Sequence, residues 1–302
     1  MTNQHQAYLA TSIQMLIIGL SFMFVKISLV DAPVPDVLAH RFSVAFVAAN
    51  GLLWLQKKPL PLSWASLRSV GLLVLLNPVL FFGFQALGLS LLSSVQAGIV
   101  FATVPVFVLL LAALLLGERT TMAQRVCVLL AMSGVVWVSL WGGLASGFDL
   151  GGGGFILLSA LSLALFTVLT RKVRHDHDVY QLTYLMTFAG CVGFNLVALG
   201  QHVYHGNVAA FWAPWTRPAF AWSMLYLGIL SSLLTSLLSV FALSKIEASK
   251  IGVFNHLTVI ITVAAGAIFL HEPIYGYHFV GMGMILIGVF GSQYFAPKTL
   301  AP

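Results

Sequence analysis

The sequence predicts an all-α polytopic membrane protein with ten transmembrane helices in two inverted five-helix repeats. Three observations predict it. The 302 residues are 60% hydrophobic and 7% charged, whereas a soluble domain carries about 25% charged residues and could not bury so much apolar material in one core. Apolar runs of about 20 residues, the length a helix needs to cross the hydrocarbon, alternate with short breaks that hold the charges. These runs are nearly continuous, which disfavours a barrel of alternating strands. Finally, a long segment of the first half recurs in the second at constant spacing.

The runs place helices near 7–30, 34–55, 67–88, 92–117, 121–141, 153–173, 180–202, 219–241, 247–270 and 275–295. The leading MTNQHQAYLATS has no basic region, and the run after it is too long for a signal peptide, so it reads as an uncleaved first helix. Pro33 and Pro35 bracket the turn into the second helix, and QKKPLPLSW separates the second from the third. GGLASGFDLGGGG (Gly142 to Gly154) lacks the GK[ST] of a phosphate-binding loop and reads as a flexible linker between halves. HGNVAAFWAPWTRP, between helices seven and eight, carries aromatic residues suited to a membrane interface.

GIVFATVPVFVLLLAALLLGERTTMAQRVCVLLAMSGV (Gly98 to Val135) aligns without a gap on GVFNHLTVIITVAAGAIFLHEPIYGYHFVGMGMILIGV (Gly252 to Val289). Gly98, Ala113, Leu116, Glu118, Val126, Gly134 and Val135 match Gly252, Ala267, Leu270, Glu272, Val280, Gly288 and Val289. The Glu at a helix end, followed at equal distance by Gly-Val, weighs most. Residues 1–145 and 146–302 thus form two repeats. An odd number of helices in each turns the second copy upside down.

With the N-terminus in the cytoplasm, Lys57, Lys58, Arg68, Arg119, Arg125, Arg171, Lys172, Arg174, Lys245, Lys250 and Lys298 fall at the inner side, and Arg217, Asp31, Asp36 and Asp149 at the outer. This bias obeys the positive-inside rule and puts both termini in the cytoplasm. The net charge of +6 is spread over loops, so no nucleic-acid partner is indicated. Cys127 and Cys191 lie in apolar runs and read as small hydrophobes rather than a disulfide framework.

HEPIY (His271 to Tyr275) invites a zinc reading, but HExxH needs His where Tyr275 stands, and His278 lies beyond Pro273. HDHD (His175 to Asp178) reads as a solvated connector. No metal or other cofactor is expected. Glu272 ends helix nine as Glu118 ends helix four, and Pro273 cannot continue the ladder.

LLLGERTTMAQRVCVLLAMSGVVW and FLHEPIYGYHFVGMGMILIGV resemble the helix 4–5 and 9–10 hairpins of EamA-type proteins of the drug/metabolite transporter superfamily. AHRFSVAF, LLSALSLALFTVLTRK, FQALGLSLLSSVQAGIVFATVP and FALSKIEASKIGVFNHLTV are similar to that family's segments at helix two, at helix six and leading into helices four and nine. The resemblance covers roughly residues 10–295. It implies ten helices around a central cavity of alternating access, in a family that moves amino acids, other small metabolites or drugs, often outward. The family often has Pro in both helices four and nine. Here Pro105 matches Val259, so helix four should bend and helix nine stay straighter.

Polar groups within such helices are expensive in lipid and turn inward. Candidate solute contacts are Gln14, Asn77, Gln96, Thr103, Tyr226, Asn255 and His256, with His256 also the candidate proton carrier and His40 a weaker one. Ser21, Thr258 and Thr262 extend the set; for each, interhelical hydrogen bonding is the ordinary alternative. Phe22, Phe101, Phe166 and Tyr226 are candidates for an apolar wall. Lys26 and Arg41 are expected to pair with Asp31 or Asp36, or else to attract an anionic group such as a carboxylate.

The reading is a secondary transporter, an exporter of small metabolites with amino acids first, working in the inner (plasma) membrane as a monomer or homodimer. The alternatives are proton-coupled efflux of drug-like apolar compounds and a partner-dependent structural subunit. An intramembrane enzyme would need a nucleophile–base pair or metal ligands at depth, and no GxSxG, HExxH or paired-Asp pattern is present.

Overall fold

The structure, a computed structural model, describes residues 3–55, 70–117, 120–145, 147–173, 179–243 and 248–295. Every regular element among them is a helix. α1 (Asn3–Asp31) and α2 (Val34–Leu55) are joined by a two-residue turn. α3 (Gly71–Leu91) is interrupted by a π stretch at Leu75–Leu80, where Asn77 leaves helical dihedrals (φ −143°, ψ 114°) ahead of Pro78. α4 (Ser94–Leu116) breaks at Ala102–Thr103, just before Pro105. α5 (Met122–Ala145), α6 (Leu150–Val173) and α7 (Val179–Tyr204) are uninterrupted. α8 runs as Pro218–Leu225, a π stretch at Tyr226–Leu234, and Thr235–Leu243. α9 (Ala248–Phe269), with Val259 in place of the proline, is unbroken, and α10 (Gly276–Tyr294) follows.

Among the described residues α1 to α8 each contain a stretch long and apolar enough to cross a membrane. The chain is therefore a multi-pass membrane protein. In α9 the apolar stretch so described is shorter, Leu257–Phe269.

Packing follows the small residues. In lipid no hydrophobic force drives helices together, so association relies on close van der Waals approach and interhelical hydrogen bonds. α5 and α10 lie antiparallel. A Cβ added at Gly134 would meet Gly281 O at 2.8 Å, and one at Gly288 would meet Cys127 O at 2.5 Å and Ala131 N at 2.7 Å. The same pair is tied at its other end by Gln124 Nε2 donating to Ser292 O (2.9 Å). α2 lies on α7, where Asn195 Nδ2 donates to Ser43 Oγ (2.8 Å) and Tyr184 Oη to Asn50 Oδ1 (3.0 Å). α1 packs on α8 and α9, and α6 on α3 and α4. Thr262 Oγ1 on α9 donates to Gly19 O on α1 (3.0 Å), and Ser159 Oγ on α6 to Phe81 O on α3 (2.9 Å).

Two connectors differ from expectation. The glycine run after Asp149 is not a loop: Gly151–Gly154 form the first turn of α6. Asp149 Oδ1 accepts from Gly152 N (2.6 Å) as an N-cap does. A Cβ at Gly152 would meet Leu91 and Leu92 side-chain atoms at 2.9 Å, so this glycine serves the α3–α6 contact rather than flexibility. The connector between α7 and α8 is likewise folded, into a short helix (Val208–Trp212) and a 3-10 turn (Ala213–Thr216) that bury Phe211.

Candidate functional site

The interior contains polar side chains whose partners decide which of them remain available to a ligand. At the end of the bundle bearing the α1–α2 turn, α3 gives way to α4 through Leu92 and Ser93. A helix end leaves unsatisfied carbonyls on one side and amides on the other. Lys26 Nζ donates to Leu89 O (2.8 Å) and Leu92 O (2.6 Å), closing the end of α3. Glu272 supplies the complement at the start of α4: its carboxylate accepts from Ser94 N, Ser94 Oγ and Val95 N, each at 2.8 Å. The carboxylate is held there because α9 ends in a turn. Leu270 N and Glu272 N both donate to Gly266 O, and His271 takes φ 53°. The glutamate of HEPIY is therefore a helix cap. Glu118 lies outside the described residues.

Gln96 is drawn into the same junction. Ser93 Oγ accepts from Gln96 N (3.1 Å) and Gln96 Oε1 accepts from Ser93 N (3.3 Å), a reciprocal capping box. It shares no continuous helical face with Thr103, because α4 breaks between them. Thr103, fully buried at that break, donates to Val100 O (2.8 Å). Tyr226 begins the π stretch of α8, stacks on Phe24 (centroids 4.0 Å) and donates to Ile17 O (3.0 Å). Gln14 is buried in α1 with Oε1 lacking a hydrogen-bond partner. Asn77 is half-buried inside the interruption of α3. Asn255 and His256 sit on α9; their side chains lie outside the described residues.

The expected pairing of Lys26 and Arg41 with Asp31 or Asp36 does not form. Lys26 is committed to carbonyls, and Asp36, in the first turn of α2, faces α7, where Oδ2 meets His202 Nε2 (2.8 Å). Arg41 turns away from both. Buried to 1% exposure, it reaches α8, with Nε donating to Ser232 Oγ (3.3 Å) and Nη2 to Ser231 Oγ (3.2 Å). Its guanidinium carbon lies 4.1 Å from the Phe82 ring centroid on α3. His40, one residue earlier, is held by the folded connector: Nε2 meets Phe211 O (2.8 Å) and Nδ1 accepts from Trp215 Nε1 (3.1 Å).

Two groups escaped the sequence reading. Gln85 in α3 is buried; its signal was a lone amide within an apolar run. Ser231 and Ser232 in α8 receive the arginine, and nothing in the sequence marks them beyond two adjacent hydroxyls in an apolar run. Phe22, Phe101, Phe81, Phe82, Phe42 and Phe194 form a chain of ring contacts through the interior, with successive centroids 4.4–5.9 Å apart. Phe166 is not part of it and packs against a separate cluster of Val70, Leu73 and Leu185.

Comparison with known proteins agrees with this architecture. The chain is 42% identical over 291 residues to the uncharacterized transporter YcxC of Bacillus subtilis, covering 96% of this chain and 93% of that one. It is 25% identical over 253 residues to a WAT1-related chloroplastic protein of Arabidopsis thaliana, covering 82% of this chain and 58% of that protein. A protein of known crystal structure superposes with a TM-score of 0.67 at 16% identity, over 99% of this chain and all of the other, which is a likeness of fold. The EamA-like transporter family is matched twice, at residues 5–140 and 150–293. The chain belongs to the EamA-like transporter family, and is a transporter rather than an enzyme.

Proposed function

We propose that the chain crosses the inner (plasma) membrane ten times, as inverted five-helix repeats at 1–145 and 146–302 with both termini cytoplasmic. In this reading it exports small metabolites, amino acids first among them, by alternating access, and acts as a monomer or homodimer. The double family match supports two repeats. So does the antiparallel α5–α10 contact, in which Gly134 faces Gly281 and Gly288 faces Cys127. The shift that carries Gly98 onto Gly252 exchanges these two contacts, as a pseudo-two-fold axis requires.

The observation that carries the transport site is the paired interruption of α3 and α8, Leu75–Leu80 and Tyr226–Leu234, at corresponding places in the two halves. Interrupted helices near mid-membrane are where secondary transporters build their solute sites, because freed backbone groups can face a ligand there. Gln14, Asn77, Thr103 and Tyr226 are the proposed contacts around it, with Asn255 and His256 from α9 and His256 as the proton carrier. Gln96 contributes by fixing the start of α4. Neutral amides and hydroxyls of this kind suit a small polar or zwitterionic solute. The amino-acid assignment rests on the family resemblance together with this neutral polar set.

The phenylalanine chain favours a second reading, proton-coupled efflux of drug-like apolar compounds, since a continuous aromatic surface grips flat apolar molecules. Flux of labelled amino acids into proteoliposomes holding only this protein, with and without a pH gradient, separates the readings. Saturable uptake lost in Asn77→Ala supports the amino-acid exporter. Folded protein that moves none of them, but moves apolar cations or dyes down a proton gradient, replaces it with the second. Silence towards both leaves a partner-dependent subunit.

A further inference from the structure

We propose that Arg41 is an anion subsite that takes the carboxylate of the transported solute. This deepens the transporter reading above and rests on it. A guanidinium stays protonated in a protein, and a charge inside a membrane helix persists only where it is partnered or serves a ligand. Arg41 is among the largest fully buried side chains of the molecule. Its hydrogen bonds go to two serine hydroxyls, at 3.2 and 3.3 Å, which is long for charge-assisted bonds of about 2.7–2.9 Å. Ser232 Oγ meanwhile donates to Leu227 O (2.9 Å), so it is an ordinary capped hydroxyl with no charge to give.

The described carboxylates are engaged elsewhere. Asp36 meets His202, Glu272 caps α4, and Asp149 caps α6. Asp31, half-buried at the end of α1, lines a cleft with Lys26 and Leu270 and is not paired with Arg41. Glu118, Asp176, Asp178 and Glu247 fall outside the described residues; the sequence puts all four in connectors expected at the opposite end from Arg41. A full positive charge thus sits in the bundle without a counter-ion among the described residues.

The surroundings suit a carboxylate. The Phe82 ring centroid lies 4.1 Å from the guanidinium carbon, a contact a guanidinium makes through its face while its N–H groups hydrogen-bond in its plane. The serines use two of five N–H donors, and the remaining fork matches two carboxylate oxygens. Arg41 also touches both interrupted helices: Ser231 and Ser232 belong to the π stretch of α8, and Phe82 follows that of α3 by two residues. A solute anchored here by its carboxylate would move with the segments that are free to rearrange.

The test is ligand-dependent thermal stabilisation of the full chain in nanodiscs. The probes are acetate, butyrate, 4-methylpentanoate and 3-phenylpropanoate, their matched primary amines, and sulfate at equal ionic strength. Carboxylates are expected to raise the Tm of the wild type saturably and the amines not to. Arg41→Lys keeps the charge but loses the fork and should weaken the apparent Kd about tenfold, and Arg41→Gln about 10–100-fold. Equal carboxylate affinity in Arg41→Gln overturns the proposal, as does stabilisation by amines alone, an equal effect of sulfate, or no stabilisation by any carboxylate. If Arg41→Gln does not fold, the Arg41→Lys titration decides, unchanged affinity being the adverse result. Carboxylate binding that depends on Arg41 alongside a blank amino-acid flux screen would retain the subsite and remove the amino-acid assignment. Amino-acid flux with intact affinity in Arg41→Gln would do the reverse.

Discussion

Replacing Glu272 by Ala removes the acceptor that begins α4. Three donors lose their partner, Ser94 N, Ser94 Oγ and Val95 N, each now 2.8 Å from a carboxylate oxygen. Hydrogen bonds to a charged group contribute about 1.5–3 kcal/mol apiece. The favourable alignment with the helix dipole is already part of that charge term. Glu272 is half-exposed, so water replaces part of what is lost, and the three bonds together are expected to amount to about 2–4 kcal/mol rather than their sum. At about 2 °C per kcal/mol for a chain of this size, Tm should fall by about 4–8 °C. Glu272→Gln keeps one carbonyl acceptor and should lose about half as much. Thermal unfolding of purified protein in detergent, followed by far-UV circular dichroism, reads both. An Ala variant melting within about 1 °C of the wild type would refute the capping role.

Gly288→Ala should force α5 and α10 apart, because the new Cβ meets backbone atoms at 2.5 and 2.7 Å, at a cost of about 1–3 kcal/mol; Gly283→Ala, with nothing within 4 Å, should melt like the wild type in the same assay. Asp149→Ala removes the N-cap at Gly152 and should cost about 1 kcal/mol, read as a Tm lower by about 2 °C. Asn195→Ala deletes the bond to Ser43 between α7 and α2 and should cost about 0.6 kcal/mol, measured by equilibrium unfolding in SDS. Trp215→Phe keeps the ring against His40 but removes its N–H; the expected loss of about 1 kcal/mol is seen as a lower Tm.

Much of the site was hidden from the sequence because partnership is a tertiary property. Gln96 and Thr103 are spaced for one helical face, but Pro105 removes a ladder hydrogen bond and α4 breaks between them, leaving Gln96 to cap the helix. Arg41 and Asp36 lie on neighbouring turns of one helix, so pairing was the natural expectation. Their directions differ, however: Asp36 meets α7 and Arg41 meets α8. Glu272 could be recognised as a helix-end residue, but the amides it would cap are more than 170 positions earlier in the chain.

By itself the sequence determined where the helices lie. Hydrophobic length fixes each membrane-length run locally, since a lipid-exposed backbone must satisfy its hydrogen bonds within the segment. The expected positions of α2, α7 and α9 accordingly fall within a few residues of those observed. The interruption of α4 and the continuity of α9 accord with the single Pro-to-Val difference between them. Tertiary structure alone decided which polar groups are satisfied across helices, and that the glycines after Asp149 form a packed helical turn rather than a linker. The reason is physical: a helix records its own hydrogen bonds in its local sequence, whereas a buried charge or amide takes its partner from whichever helix lies beside it.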